Sequence, residues 1–248
     1  MKTSKIIALV FGLVLLIGGG AVYYLLSNLD QIVEGVIEKV GTEMTGTQVS
    51  LDGVSIDLRA GRGELRGLVL ANPPGYSTDY ALKFSKVAVA IDPASLAGQV
   101  ITLSEITVKG GELNAEQTAT GNNLKDILDE VERQTASEPK ESEAPAPSSE
   151  PTDVRLYLKR FVLAGTQATV IVPEQKPAVI NVPDVRRKNI GSPDKGLTPE
   201  QLGSRLLSAL LEEVQDAVAK HLASLAIDAA KDKVSEKLGL DKLMKKKK

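Results

Sequence analysis

Residues 101–115 read ITLSEITVKGGELNA, and residues 156–170 read LYLKRFVLAGTQATV. In both, apolar side chains first alternate as in a half-buried strand, then shift parity by one residue. Ile101, Leu103, Ile106 and Val108 set the pattern, and Leu156, Leu158, Phe161 and Leu163 repeat it. Two more copies lie upstream: Val49, Leu51, Val54 and Ile56, and then Leu82, Phe84, Val87 and Val89. The steps fall at Asp52-Gly53, Ser85-Lys86, Ser104-Glu105 and Lys159-Arg160. In a flat strand such a step turns the second half toward solvent. A β-bulge absorbs one residue, keeps one apolar face and bends the strand. Matching bulges in four strands therefore predict a curved sheet with a continuous apolar groove. The alternative is that each copy forms two short strands joined by a tight turn. Gly110 and Gly165 occupy matching places after the last two copies and read as tight turns into returning strands.

Around these copies the punctuation is clear. Asn72-Pro73-Pro74-Gly75 is a turn, and Asp92-Pro93-Ala94-Ser95-Leu96 is a turn or one helical turn. Leu65–Asn72 reads as a strand. So does Val179–Ile190, where Pro183 favours a sheet edge. About eight strands result, spanning roughly 35–40 Å at the usual strand spacing. Asn122 or Asn123 caps a short helix from Leu124 to about Arg133. Residues 134–152, with Pro139, Pro145, Pro147 and Pro151 among Ser and Glu, read as a disordered linker inserted within one domain. The β-groove domain is thus split into residues 28–133 and 153–192. Residues 193–248 hold a long amphipathic helix, with Thr198 as N-cap and Pro199 at its first position, and a lysine-rich tail. Leu207, Leu211, Val214, Val218, Leu222, Leu225 and Ala229 form its apolar stripe. The stripe suits a plug in the groove, a lid or a membrane-surface helix.

The chain opens with Lys2 and Lys5, then runs uncharged from Ile6 to Leu26. Twenty-one helical residues span about 31 Å, close to a bilayer core. Tyr23 and Tyr24 lie where interfacial aromatics belong, and Asp30 and Glu34 follow. Residues 1–27 therefore read as a cytoplasmic lead and a single-pass anchor, with the body outside the cytoplasm. A cleaved signal peptide ending near Gly18-Gly19-Gly20-Ala21 is the alternative. Leu29, Ile32, Val33, Val36, Ile37 and Val40 then mark an amphipathic helix, stopped at Gly41 and the Gly46 region.

Composition narrows the chemistry. Apolar residues make up 42% of the 248, and charged residues 25%, enough to bury a core. Thirty Lys and Arg against 32 Asp and Glu leave a formal charge of −2, which argues against a globally basic nucleic-acid binder. With no Cys and one His, thiol nucleophiles and Cys/His zinc sites are excluded. No phosphate loop or nucleophile elbow occurs, so no catalytic set, cofactor or metal is expected. His221 reads as a helix boundary residue. Asp126, Asp129, Glu130 and Glu132 read as a solvated acidic face. Arg186-Arg187-Lys188 reads as edge protection or an anion contact.

The chain resembles the AsmA-like proteins, a group related to bacterial bridge-like lipid-transfer proteins. The resemblance rests on the N-terminal span and the helix after it. It then follows Gly46–Asp52 (GTQVSLD), Arg66–Tyr76 (RGLVLANPPGY), Val87–Leu96 (VAVAIDPASL), Ile106–Glu116 and Gly121-Asn122-Asn123-Leu124. It covers residues 1 to about 130 well and is looser over 153–230. It implies an α+β protein with a transmembrane helix, a curved antiparallel sheet with bulged strands and a long C-terminal helix. That protein would be anchored in the inner membrane with its body in the periplasm. Its function would be lipid binding or handling in envelope or outer-membrane biogenesis, with a phospholipid or other acyl-chain lipid as ligand and envelope proteins as partners. The groove walls would be Val49, Leu51, Val54, Ile56, Phe84, Val87, Val89, Ile101, Leu103, Ile106, Val108, Leu158, Phe161 and Leu163. Aliphatic walls hold acyl chains by non-specific burial at about 25 cal/mol per Å². A scaffold whose groove is filled by its own C-terminal helix is the alternative.

Overall fold

The computed structural model describes residues 27–137 and 154–237. The expected anchor (Ile6–Leu26), most of the linker and the lysine tail lie outside them. Among the described residues no helix is long and apolar enough to cross a membrane.

The chain folds as α1 (Leu29–Thr45), β1 (Val49–Ser50), β2 (Gly53–Asp57), β3 (Arg62–Ala71), β4 (Tyr80–Ile91), a 3₁₀ turn (Pro93–Ala97), β5 (Val100–Lys109), β6 (Gly111–Glu116), α2 (Asn123–Ser137), β7 (Arg155–Ala164), β8 (Gln167–Ile171), β9 (Ala178–Asn181), β10 (Val185–Ile190) and α3 (Pro199–Lys237). The ten strand segments make one open sheet. Their registers show that they are six long strands. Leu82 and Phe84 of β4 face Leu113 and Gly111 of β6, and Val87 and Val89 face Val108 and Ile106 of β5, all on one unbroken ladder. So β6 continues β5. In the same way β8 continues β7, β10 continues β9, and β2 continues β1 along β3.

This corrects the hairpin reading of Gly110 and Gly165. Their φ angles are +69° and +65°, and each kinks a strand that runs on in the same direction. A left-handed glycine marks a turn in sequence, but here the ladder with β4 carries straight through. The sheet is also mixed rather than antiparallel. β5 pairs with β7 in parallel, Ile101 facing Leu156 and Val108 facing Leu163, and β6 pairs with β8 in parallel. The physical reason is the connection: between β6 and β7 the chain returns to the end where β5 began, as a parallel step requires. The two longest sequence copies thus lie side by side, each residue beside the one 55 positions later.

Of the four expected bulges, only the step at Ser104-Glu105 holds an extra residue; the expectation fails at the other three. At Ser104 the ladder slips: Ala90 faces Glu105 and Ile91 faces Leu103, leaving Ser104 extra. The step at Lys159-Arg160 lies beside it, since Leu103 faces Leu158 and Ile106 faces Phe161. At Asp52-Gly53 and Ser85-Lys86 no residue is extra. Ser50 faces Val69 and Gly53 faces Arg66, with equal spacing on both strands. There neighbouring strands shift parity together, along a line that crosses the sheet through Gly67, Gly110 and Gly165.

The helices behave as their sequences dictate. Gly46, at φ +65°, ends α1, its N–H bonding the Thr42 carbonyl. Gly41 does not stop it; it brings the helix against the Val49 side chain. Asn122 caps α2 by accepting from the Lys125 N–H at 3.0 Å, and the helix runs on to Ser137, past the expected linker boundary. Thr198 and Gln201 cap α3 reciprocally, each side chain bonding the other's N–H at 3.2 Å. Leu124, Ile127 and Val131 of α2 and Leu202, Leu210, Leu211, Val214 and Val218 of α3 join one core with the apolar side of the sheet.

One sheet edge is closed by α1. Thr42 Oγ1, Glu38 Oε1 and Asp30 Oδ1, four and eight residues apart on one helix face, accept from the N–H groups of Val49, Leu51 and Ile56 at 3.0, 2.9 and 2.9 Å. The other edge is β9–β10 with Pro183 between them, where the sequence placed it.

Candidate functional site

The apolar side of the sheet brings the fourteen predicted groove residues together, and it is largely roofed. Val49, Val54, Phe84, Val87, Ile106, Val108, Leu158, Phe161 and Leu163 are buried. They pack in the same core as α2 and α3, apart from Val54, which is buried outside that cluster. Leu51, Ile56, Val89, Ile101 and Leu103 are only half-buried. Four of these five gather at one end. Ile56 and Val89 stand in one cross-strand row, on either side of Gly63, with Ile106 next along; Ile101 and Leu103 follow further along β5. So the face is not an open gutter. It is a closed core that thins into an aliphatic patch at one end of the strands. That end is also where α1 begins, since Asp30, in its first turn, bonds the Ile56 N–H.

The opposite end is held by a buried polar network. Asn123, fully buried, accepts from the Glu116 N–H at 2.8 Å and donates to Asn72 Oδ1 and the Asn114 carbonyl, both at 2.7 Å. Asn72 donates to Thr78, and the Glu116 carboxylate accepts from the N–H groups of Ser77 and Thr78. The Asn72–Gly75 turn is thereby fixed to the start of α2, so every member is satisfied at a depth where an orphan would be costly. Tyr76 donates to Asp126. Partial burial, that bond and the Asp126 and Glu116 charges raise its phenol well above the usual tyrosine range. The sequence marked these residues as a turn and a cap but not as one network, because nothing local links Asn72 to Asn123.

The other side of the sheet is polar and carries a shallow cleft of about 460 Å³. Ala88 and Ala90 of β4 form its floor, between Glu64 and Arg62 on one flank and Thr107 and Glu105 on the other. Lys86 pairs with Glu64, and Arg160 with Glu105. The Thr107 hydroxyl and the Arg160 guanidinium hold the Glu105 carboxyl below the usual carboxylate range. The small residues that make this cleft carry no pattern of their own.

The remaining candidates resolve simply. Asp129 pairs with Lys125 and Glu130 with Arg133 on the surface of α2. Among the described residues no three acidic or imidazole groups could hold a metal ion. His221 is half-buried on α3. Arg186, Arg187 and Lys188 are exposed on the edge strand, Arg186 paired with Asp184. No family model, curated protein or solved structure matches the chain.

Proposed function

We propose that this chain is a lipid-handling module, held in the bacterial inner membrane by residues 6–26 with its body on the periplasmic side, and serving envelope or outer-membrane biogenesis. One observation carries the reading. The aliphatic core opens into a half-buried patch of Ile56, Val89, Ile101 and Leu103, at the end where α1 starts, directly after the apolar segment. A lipid leaving the membrane would meet that patch first. Six strands at the usual spacing are roughly 24 Å across, too little to reach a second membrane unaided. One acyl chain, rather than a continuous conduit, matches that size. Among the described residues the face carries no array of polar groups to orient a ligand, which suits an aliphatic chain better than a sugar or peptide.

A second reading has its own support. Nine of the fourteen wall residues are buried beneath or beside the helices, as in a scaffold whose groove is filled by its own chain and which acts through envelope protein partners. The two separate in one experiment. The full chain is folded in membranes with a protease site between Leu26 and Ser27, and the released body is analysed by native mass spectrometry and lipid extraction. About one phospholipid per body, absent from an equally stable Val89→Asp variant, supports lipid handling. An empty, folded body, or lipid retained by that variant, supports the scaffold.

A further inference from the structure

We propose that the outward face of α1 is a contact between two copies of this chain, whose α1 helices pair in parallel. The way α1 is used leaves that face free. An amphipathic helix ordinarily turns its apolar stripe to the core. α1 instead meets the sheet edge with Asp30, Glu38 and Thr42, each accepting a backbone N–H. Of its seven apolar residues only Met44 packs against the core cluster. Leu29, Val33, Ile37 and Val40 are half-buried, and Ile32 and Val36 are 40% and 44% exposed. At about 100° per residue, Leu29, Val33, Val36 and Val40 fall within roughly 60° of the helix surface, centred roughly 150° from the mean direction of the three edge-capping residues.

Spacing and charge identify what covers this stripe. The four residues recur at steps of four, three and four, with Val33 and Val40 at heptad positions a and Leu29 and Val36 at d. β-Branched residues at a favour two strands. Ile32 and Ile37 flank the seam at g and e, so in a parallel pair Ile32 of each copy meets Ile37 of the other. The seam is thus complementary to itself, as a two-fold contact requires. An anionic bilayer surface fits it less well, because α1 holds four carboxylates and one lysine, whereas helices that lie on such surfaces are rich in Lys and Arg. Nor does α1 carry the Trp, Tyr or Arg that anchor contacts with a foreign protein. The seam runs about 16 Å, or about one and a half heptads. Coiled coils are sustained over three or four heptads, so this one needs help from local concentration. Confinement of both copies to one bilayer supplies that concentration and the parallel sense. Both rest on the anchor proposed above, and neither on lipid binding.

The chain has no cysteine, so single thiols report the seam. Full-length chains with Val33→Cys, Val36→Cys, Gln31→Cys or Gly35→Cys are oxidised in membranes. Disulfide-linked dimer is expected to be several-fold more abundant at 33 and 36 than at the exposed positions 31 and 35, which lie off the seam. Adding Val36→Glu to the Val33→Cys chain should remove its dimer and leave the melting temperature unchanged, since residue 36 is exposed and outside the core. Three results overturn the pairing alone: equal cross-linking at all four positions, a dimer that survives Val36→Glu, and thiols at 33 and 36 that stay monomeric or capture another protein in a chain that resists alkaline extraction. A chain that alkaline extraction strips from the membrane overturns the anchor, and the pairing with it.

Discussion

A β-carbon on Gly67 would overlap the Asp52 carboxylate, and its φ of +59° belongs to glycine. Two separate penalties therefore guard one position. The left-handed backbone costs about 1–2 kcal/mol for any other L-residue, and the overlap adds to that. Gly67→Ala should lower the urea midpoint clearly, and Asp52→Ala in the same chain should restore only the part due to overlap. Equal stability of the single and double variants would remove the overlap from the account. Tyr76 offers a test in pH. Its phenol is raised in the folded protein by partial burial and by Asp126. Below about pH 10 it is protonated whether folded or unfolded, and its contribution is complete. Above that the unfolded chain sheds the proton more readily, so stability falls as pH rises. Wild type should lose stability there faster than Tyr76→Phe, and parallel curves would refute the assignment. Neither position was legible alone: Gly67 looks like any glycine until its partner Asp52, in the step between β1 and β2, is known.

The edge-capping role of α1 belongs to the element. An amphipathic pattern at Leu29–Val40 announced the helix but not its use, since the hydrogen-bonding residues Asp30, Glu38 and Thr42 lie off the apolar face. Hydrogen bonds to charged acceptors contribute about 1.5–3 kcal/mol each. Removing Glu38 as Glu38→Ala should speed amide exchange at Leu51 while leaving the amides paired to β3 protected. Unchanged exchange at Leu51 would mean that water or another group caps that edge equally well. The strands show what a pattern can and cannot say. Each parity step marked a place where the backbone departs from a flat ladder. Whether one strand takes up an extra residue, as at Ser104, or neighbours kink together, as at Gly67, depends on the partner's register. That register is a property of pairs, so the sequence copies located the bends, while the bulge expected at each was met only at Ser104. The same limit turned Gly110 and Gly165 into supposed hairpins.

For the whole molecule, the question is whether α3 can leave the sheet. Thr135 Oγ1 of α2 and Ser204 Oγ of α3 are 2.9 Å apart. Thr135→Cys with Ser204→Cys should therefore bridge the two helices in a chain with no competing thiol. If a lipid enters by moving α3, the oxidised form should take up none and regain uptake on reduction. Equal uptake in both states would place the entry elsewhere, at the half-buried patch itself. The predicted wall residues did converge on one face, because alternation with a coordinated step forces them there. How far that face is covered was not legible, since a stripe such as Leu211, Val214 and Val218 fits a lid, a plug or a membrane equally. The parallel step between the sequence copies has a further consequence. Position n of one strand lies beside position n+55 of the next along its whole length, through both bends. Such a sheet has translational order, like a row of tiles cut from one template. Tandem duplication of residues 100–154 would add a strand already in register, with its glycine at the right height and its helix on the right side. Such a duplication would widen the sheet by one strand, about 4.8 Å, with the inserted copy meeting its own sequence on one side and β7 on the other.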